Sequence, residues 1–162
     1  MSVQDRQQML WEELVEVAMQ SHGAEYGDLQ TLDRPNGLLR LECTRNLPEQ
    51  FREAFETVTI YGPTVCSRAF RCASPVFVGD VLADPAFAQY RALAEACRIR
   101  AVYSVPISVN SQIVGVVSTL FAQPRSVPAS GPHEVQRWVK SHPNAFTLSR
   151  LGTTRAQANP QR

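Results

Sequence analysis

Ala101–Phe121 reads AVYSVPISVNSQIVGVVSTLF, and this stretch decides the fold. Ala101–Val109 and Gln112–Phe121 are two β-branched runs separated by Asn110-Ser111, a pair that suits a two-residue hairpin turn. The segment Ile113–Val117 (IVGVV) is apolar at consecutive positions, so both of its faces must be covered. That is the signature of a strand in the middle of a sheet with layers on both sides.

Working outward, Tyr26–Leu32 and Leu38–Cys43 read as a second strand pair, with Asn36-Gly37 as the turn signal between them. Leu10, Trp11, Leu14, Val15 and Ala18 recur at helical spacing in an N-terminal helix over residues 5–21, with Glu12, Glu13 and Glu16 on the wetter side. Gly23 stands where a left-handed cap is wanted. Between the strand pairs, Pro48 opens a helix through Phe51 and Phe55. Val65–Cys72 forms a short helix that must stop before Pro75, and Val76–Val78 is a short strand. Asp84-Pro85 is a helix start, with the carboxylate as cap and proline at the first position, and that helix runs to about Cys97. The expected class is α+β: a mostly antiparallel central sheet of about five to six strands with helices on both faces.

The ordered series GAEYGDLQTLD, NGLLRLEC, VCSRAF, SPVFVGDVLADPAF, IRAVYSVPI and QIVGVVSTLFAQP resembles a bacterial GAF domain, the sensor module often attached to histidine kinases and cyclic-dinucleotide enzymes. The likeness spans roughly 100 to 140 residues, the size of one domain. GDVLADPAF is similar to the family's DVxxDPxF signature. The expected organisation is one domain over residues 1–142, with its core at 24–123 and a short helix at about 133–141. A disordered basic tail follows at 143–162. A long closing helix is usual in the family, and Pro143 interrupts it here. Whether the short end is native architecture or a remnant stays open at this level.

The resemblance implies a cavity between the sheet and the crossover. By position, its lining would come from Phe51, Phe55, Cys66, Phe70, Phe77, Phe87, Tyr90, Leu93, Arg100 and Tyr103. Ser104 and Tyr103 would add hydroxyls, and Arg100 and Arg68 could clamp a carboxylate or phosphate. The plainer alternative is a filled core of phenyl rings, with the arginines paired to nearby aspartates, in which case the chain is a partner-docking module with no ligand. The resemblance implies a non-enzymatic sensory or regulatory role with an unidentified small ligand and no assigned cofactor. A homodimer and a separate output protein such as a kinase are further expectations. The dimer expectation rests on the apolar face of the N-terminal helix, which equally suits packing on its own sheet.

Other chemistries find less support. Asp80 and Asp84 are explained better as turn and cap residues than as metal ligands. Cys66 sits at a helix start, where amide dipoles favour a thiolate. It is the one candidate nucleophile for a reductase of the free methionine-(R)-sulfoxide type, a GAF subfamily with a V-C-G motif; its plainer role is a small buried hydrophobe. Here Ser67 follows the cysteine, and the loop VLADPAFAQYR lacks a second thiol. The three histidines, His22, His133 and His142, all lie outside residues 45–109, which disfavours haem ligation through His. The Cys-His pair of bilin-binding phytochromes and the Asn-Lys-Phe-Asp-Glu signature of cyclic-nucleotide GAF domains are both missing. A net charge of +1 gives no bulk attraction to nucleic acid or anionic lipid. No apolar run approaches the roughly 18 residues of a membrane span. Four cysteines without a CxxC pair, and no secretory signal in MSVQDRQQML, fit reduced thiols in the cytoplasm.

Overall fold

Six strands alternate with five α-helices in a computed structural model that describes residues 1–146. The strands are β1 (Tyr26–Asp33), β2 (Leu38–Arg45), β3 (Thr57–Thr59), β4 (Val76–Val78), β5 (Ala101–Val109) and β6 (Gln112–Phe121). The helices are α1 (Val3–His22), α2 (Glu49–Ala54), α3 (Val65–Cys72), α4 (Arg91–Cys97) and α5 (His133–Ser141). The sheet order is β3-β2-β1-β6-β5-β4, and every neighbouring pair is antiparallel. The α+β expectation therefore holds, with β6 at the centre as its doubly apolar sequence requires. The Asn110-Ser111 turn takes left-handed φ at both residues (52° and 66°), the two-residue form that matches strand twist. The first hairpin differs from expectation. Asp33 pairs with Leu38, so the connection has four residues, Arg34–Gly37, with Gly37 at φ 63°. Strand β3 was not read from the sequence, because three residues carry too little periodicity to register.

Helix α1 begins earlier than its apolar stripe suggests. The Ser2 hydroxyl accepts from the Asp5 amide at 3.0 Å, and the Asp5 carboxylate accepts from the Ser2 amide at 3.3 Å. This reciprocal cap satisfies donors that would otherwise be orphaned. Gly23 ends the helix at φ 69°. The stripe Trp11, Leu14, Val15 and Ala18 is fully buried against the sheet and α5, so the face expected to mediate a dimer is covered within the chain. Gly27 permits that fit: a Cβ there would come within 2.8 Å of Val15 and Met19. Gly115 does the same between strands, where a Cβ would meet the Gln30 carbonyl at 2.4 Å.

The tail expected from residue 143 is corrected at its start. Ala145 and Phe146 are buried, and the Ala145 carbonyl accepts from Gln7 Nε2 (2.8 Å) and Trp11 Nε1 (2.9 Å). These bonds, and the ring contact of Phe146 with Trp11, draw the chain onto α1 after Pro143. The rest of that tail, 147–162, lies outside the described residues. The result is two cores. One lies between the sheet and α1/α5, and the other between the sheet and the crossover segments α2, α3 and α4.

Candidate functional site

Alternation along the strands decides which side chains reach the crossover side. Residues 26, 28 and 30 of β1 share one face of that strand. Asp28 stands opposite Ser118 of β6, and Ser118 stands opposite Ser104 of β5, so three polar residues form one row across three central strands. All three are buried, with Asp28 only 5% exposed. The serine hydroxyls bond each other at 2.7 Å. The β1–β2 register shifts between Leu29 and Gln30, a bulge beside this row.

The crossover closes over the row. Phe51 comes from α2, Phe55 from the residue after it, and Phe87 from the 3₁₀ turn Pro85–Tyr90. Thr64 and Cys66 come from the start of α3. With Gln30 and apolar strand residues, these groups line a partly open cavity of about 20 Å³, room for roughly one water-sized group. Thr64 caps α3 by accepting from the Ser67 amide (3.2 Å), and its hydroxyl donates to Ser67 Oγ (2.8 Å). Ser67 in turn donates to the Thr59 carbonyl (2.7 Å). The α3 start is thereby tied to β3, and the single Thr64 proton is used.

Asp28 Oδ1 is buried with no hydrogen-bond partner among the described residues. Burial pushes its carboxyl up to about 7 from an ordinary 3.8. Among the described residues no Lys, Arg or His lines the cavity. The Arg100 guanidinium instead holds Asp80 with two bonds, 3.0 and 3.3 Å, which keeps that carboxyl below its usual range. Arg68 donates to Asp84 at 2.6 Å. Asp80 and Asp84 also cap their turns by accepting from the Leu82 and Ala86 amides. Both arginines are thus engaged outside the cavity, as the plainer sequence alternative had it.

Of the residues expected to line a site, Phe51, Phe55, Cys66, Phe87 and Ser104 do so. Phe70, Leu93 and Tyr90 sit behind that lining in the same core, with Tyr90 5.0 Å from the Phe55 ring and 5.4 Å from Phe87. Phe77 and Tyr103 belong to the other side of the sheet. They meet edge to face at 5.5 Å, and Tyr103 lies 4.8 Å from the His22 ring. Tyr103 is one residue from Ser104, so strand alternation separates them. Asp28, Gln30, Thr64 and Ser118 were not read from the sequence. The available signal was a charge at an alternating position inside a strand whose neighbours are buried.

Cys66 takes the plainer of its two readings, a small buried side chain in the crossover core. Burial dominates and raises its thiol to about 11, against the bond to Thr64 (3.2 Å), with the nearby Asp28 carboxyl adding to the rise. The helix-start effect that favours a thiolate is overridden. All four cysteines are free, and Cys72 is the exposed one.

A family model described as "GAF domain" matches residues 3–130. No curated protein matches the sequence. Among solved structures, a GAF domain/HD domain protein from Geobacter sulfurreducens superposes with a TM-score of 0.69 at 14% identity, covering 91% of this chain and 94% of that one. A domain assigned to a two-component sensor histidine kinase of Sinorhizobium meliloti 1021 gives 0.66 at 14% identity, covering 98% and 99%. Free methionine-R-sulfoxide reductase of Neisseria meningitidis, solved with its substrate, gives 0.67 at 17% identity, covering 90% and 81%. At such identities these likenesses concern the fold.

Proposed function

Because this chain belongs to the GAF domain family, we propose that it is a sensory or regulatory module that takes a small ligand into the cavity on the crossover side of its sheet. One observation carries the reading: a buried carboxylate, Asp28, lines a small pocket with its Oδ1 unpartnered among the described residues. An unmet buried charge costs stability, and a chain with no use for it would do better with a hydrocarbon there. The cavity has the composition of a small-molecule site, mostly apolar with a few converging polar groups. Occupancy is read by the crossover, since Phe51, Phe87 and the α3 start all touch the space, and these segments pass the change to an output protein.

The thiol-reductase alternative is weaker. The Neisseria relative shares the fold, but a Cys66 thiol raised to about 11 is protonated at neutral pH. Native mass spectrometry of the protein as purified tests the proposal, with Asp28→Leu beside it. A retained small-molecule mass in the wild type that is lost in the variant supports ligand sensing. A bare mass in both, with no stabilisation of the wild type by a metabolite library, removes it.

A further inference from the structure

Asp28 shares its cavity with three phenyl rings. Phe51 and Phe55 stack at 4.4 Å, and Phe87 completes the aromatic lining. A carboxylate attracts positive charge, and so do the faces of aromatic rings. Among the described residues no cationic side chain lines the space, and Arg68 and Arg100 are held by Asp84 and Asp80. An anion entering here would meet an uncompensated carboxylate at low dielectric. A neutral donor would satisfy one oxygen and leave the charge. A hard metal ion wants a shell of oxygen ligands, yet half of this lining is hydrocarbon, from Phe51, Phe55, Phe87, Val65, Val102 and Leu120.

A primary ammonium group meets each condition. It brings charge and N–H donors for Asp28 Oδ1, and it can also donate to the Ser104–Ser118 hydroxyl pair and the Gln30 amide oxygen. At about 20 Å³ the space admits one or two heavy atoms without rearrangement. We propose, resting on the ligand-sensing reading above, that the cavity receives a small primary ammonium group, the ammonium ion or the head of a short alkylamine, held by Asp28 against the aromatic wall. A quaternary ammonium lacks the N–H that Oδ1 needs and is too large.

Isothermal titration calorimetry of the full chain in mildly alkaline buffer tests this. The probes are ammonium, methylammonium, potassium and tetramethylammonium chlorides at matched ionic strength. Ammonium and methylammonium should bind saturably, and potassium and tetramethylammonium should not. Asp28→Asn should weaken methylammonium binding at least about tenfold, in keeping with loss of a charge-assisted bond. Phe87→Trp, which fills the cavity, should abolish it, and this variant carries the test if Asp28→Asn fails to fold. Equal binding of potassium or tetramethylammonium, or unchanged methylammonium affinity in both variants, overturns the proposal. Failure of both amines alongside binding of an anionic or neutral metabolite that Phe87→Trp blocks overturns this inference alone. Failure of every ligand removes the sensory reading with it.

Discussion

The two sides of the sheet each bury an apolar cluster but treat buried charge differently. On the α1/α5 side every buried polar side chain makes a hydrogen bond, although the neutral Gln7 Oε1 has no partner among the described residues. His22 bonds Thr119 and the Gly131 carbonyl, both at 2.8 Å, Gln7 bonds Ala145, and Thr31 bonds Glu42. On the crossover side Asp28 is left with an unpaired oxygen in a small void. The first side is organised for stability. The second holds a charge that costs stability and is reached only by segments of the crossover. A protein departs from full satisfaction where it has a use for the departure.

The largest expected effect comes from breaking the stable side. Trp11→Ala removes a side chain that is 1% exposed, together with its bond to the Ala145 carbonyl. It should cost about 3–5 kcal/mol in chemical denaturation, as for other large-to-small core changes. If it costs under about 1 kcal/mol, α1 does not seal that core. Gly115→Ala comes next. Its Cβ would lie 2.4 Å from the Gln30 carbonyl, so β1 and β6 must separate beside the polar row. A loss of about 1–3 kcal/mol is expected.

Asp28→Asn should move stability the other way, by roughly 1–3 kcal/mol in mildly alkaline solution, where the native carboxylate is charged. The sign follows from linkage. The native carboxyl titrates near 7 and the unfolded one near 3.8. Between those values the native state keeps a proton that the unfolded state has released. Stability therefore falls as pH rises through this window and levels off above about 7. Denaturation midpoints measured across the window should show the slope in the wild type and lose it in Asp28→Asn. A slope of opposite sign would mean that Asp28 is paired.

Cys66 offers a smaller test of the same contrast. Ellman's reagent at neutral pH should label exposed Cys72 rapidly and Cys66 slowly, because burial raises the Cys66 thiol to about 11. Fast labelling that disappears in Cys66→Ser would revive the thiol chemistry. The smallest effect belongs to Arg100→Ala. Its partly exposed pair with Asp80 should contribute little to stability, and ligand affinity should not change. A loss of ligand in that variant would draw the site toward the outer end of the crossover.

Most of the architecture was legible because it rests on local rules. The Asn110-Ser111 turn, the span Val65–Cys72, the short strand Val76–Val78 and the Asp84-Pro85 start each follow from a few adjacent residues. The doubly apolar IVGVV run placed β6 at the sheet centre. Part of the candidate site was legible too, since Phe51, Phe55, Cys66, Phe87 and Ser104 line it. What escaped depends on register between distant strands. Nothing near Asp28 in the sequence shows that it faces Ser118, some 90 positions away. Tyr103 was misplaced for a related reason: a residue's face follows from the pleat, and its neighbour Ser104 took the cavity side. The seating of Ala145 and Phe146 on α1 was hidden behind a polar, proline-interrupted stretch that reads as solvent-exposed.

The central claim is that Asp28 is a buried carboxylate without a partner, poised in a ligand cavity. Carbon-13 NMR of the aspartate side-chain carboxyls, with Asp28 assigned through Asp28→Asn, measures this directly. The account predicts a midpoint near 7, moving downward when methylammonium is added. A midpoint near the ordinary 3.8, unmoved by amines, would mean that the carboxylate is already solvated or paired, and the cavity would lose its claim to be a site.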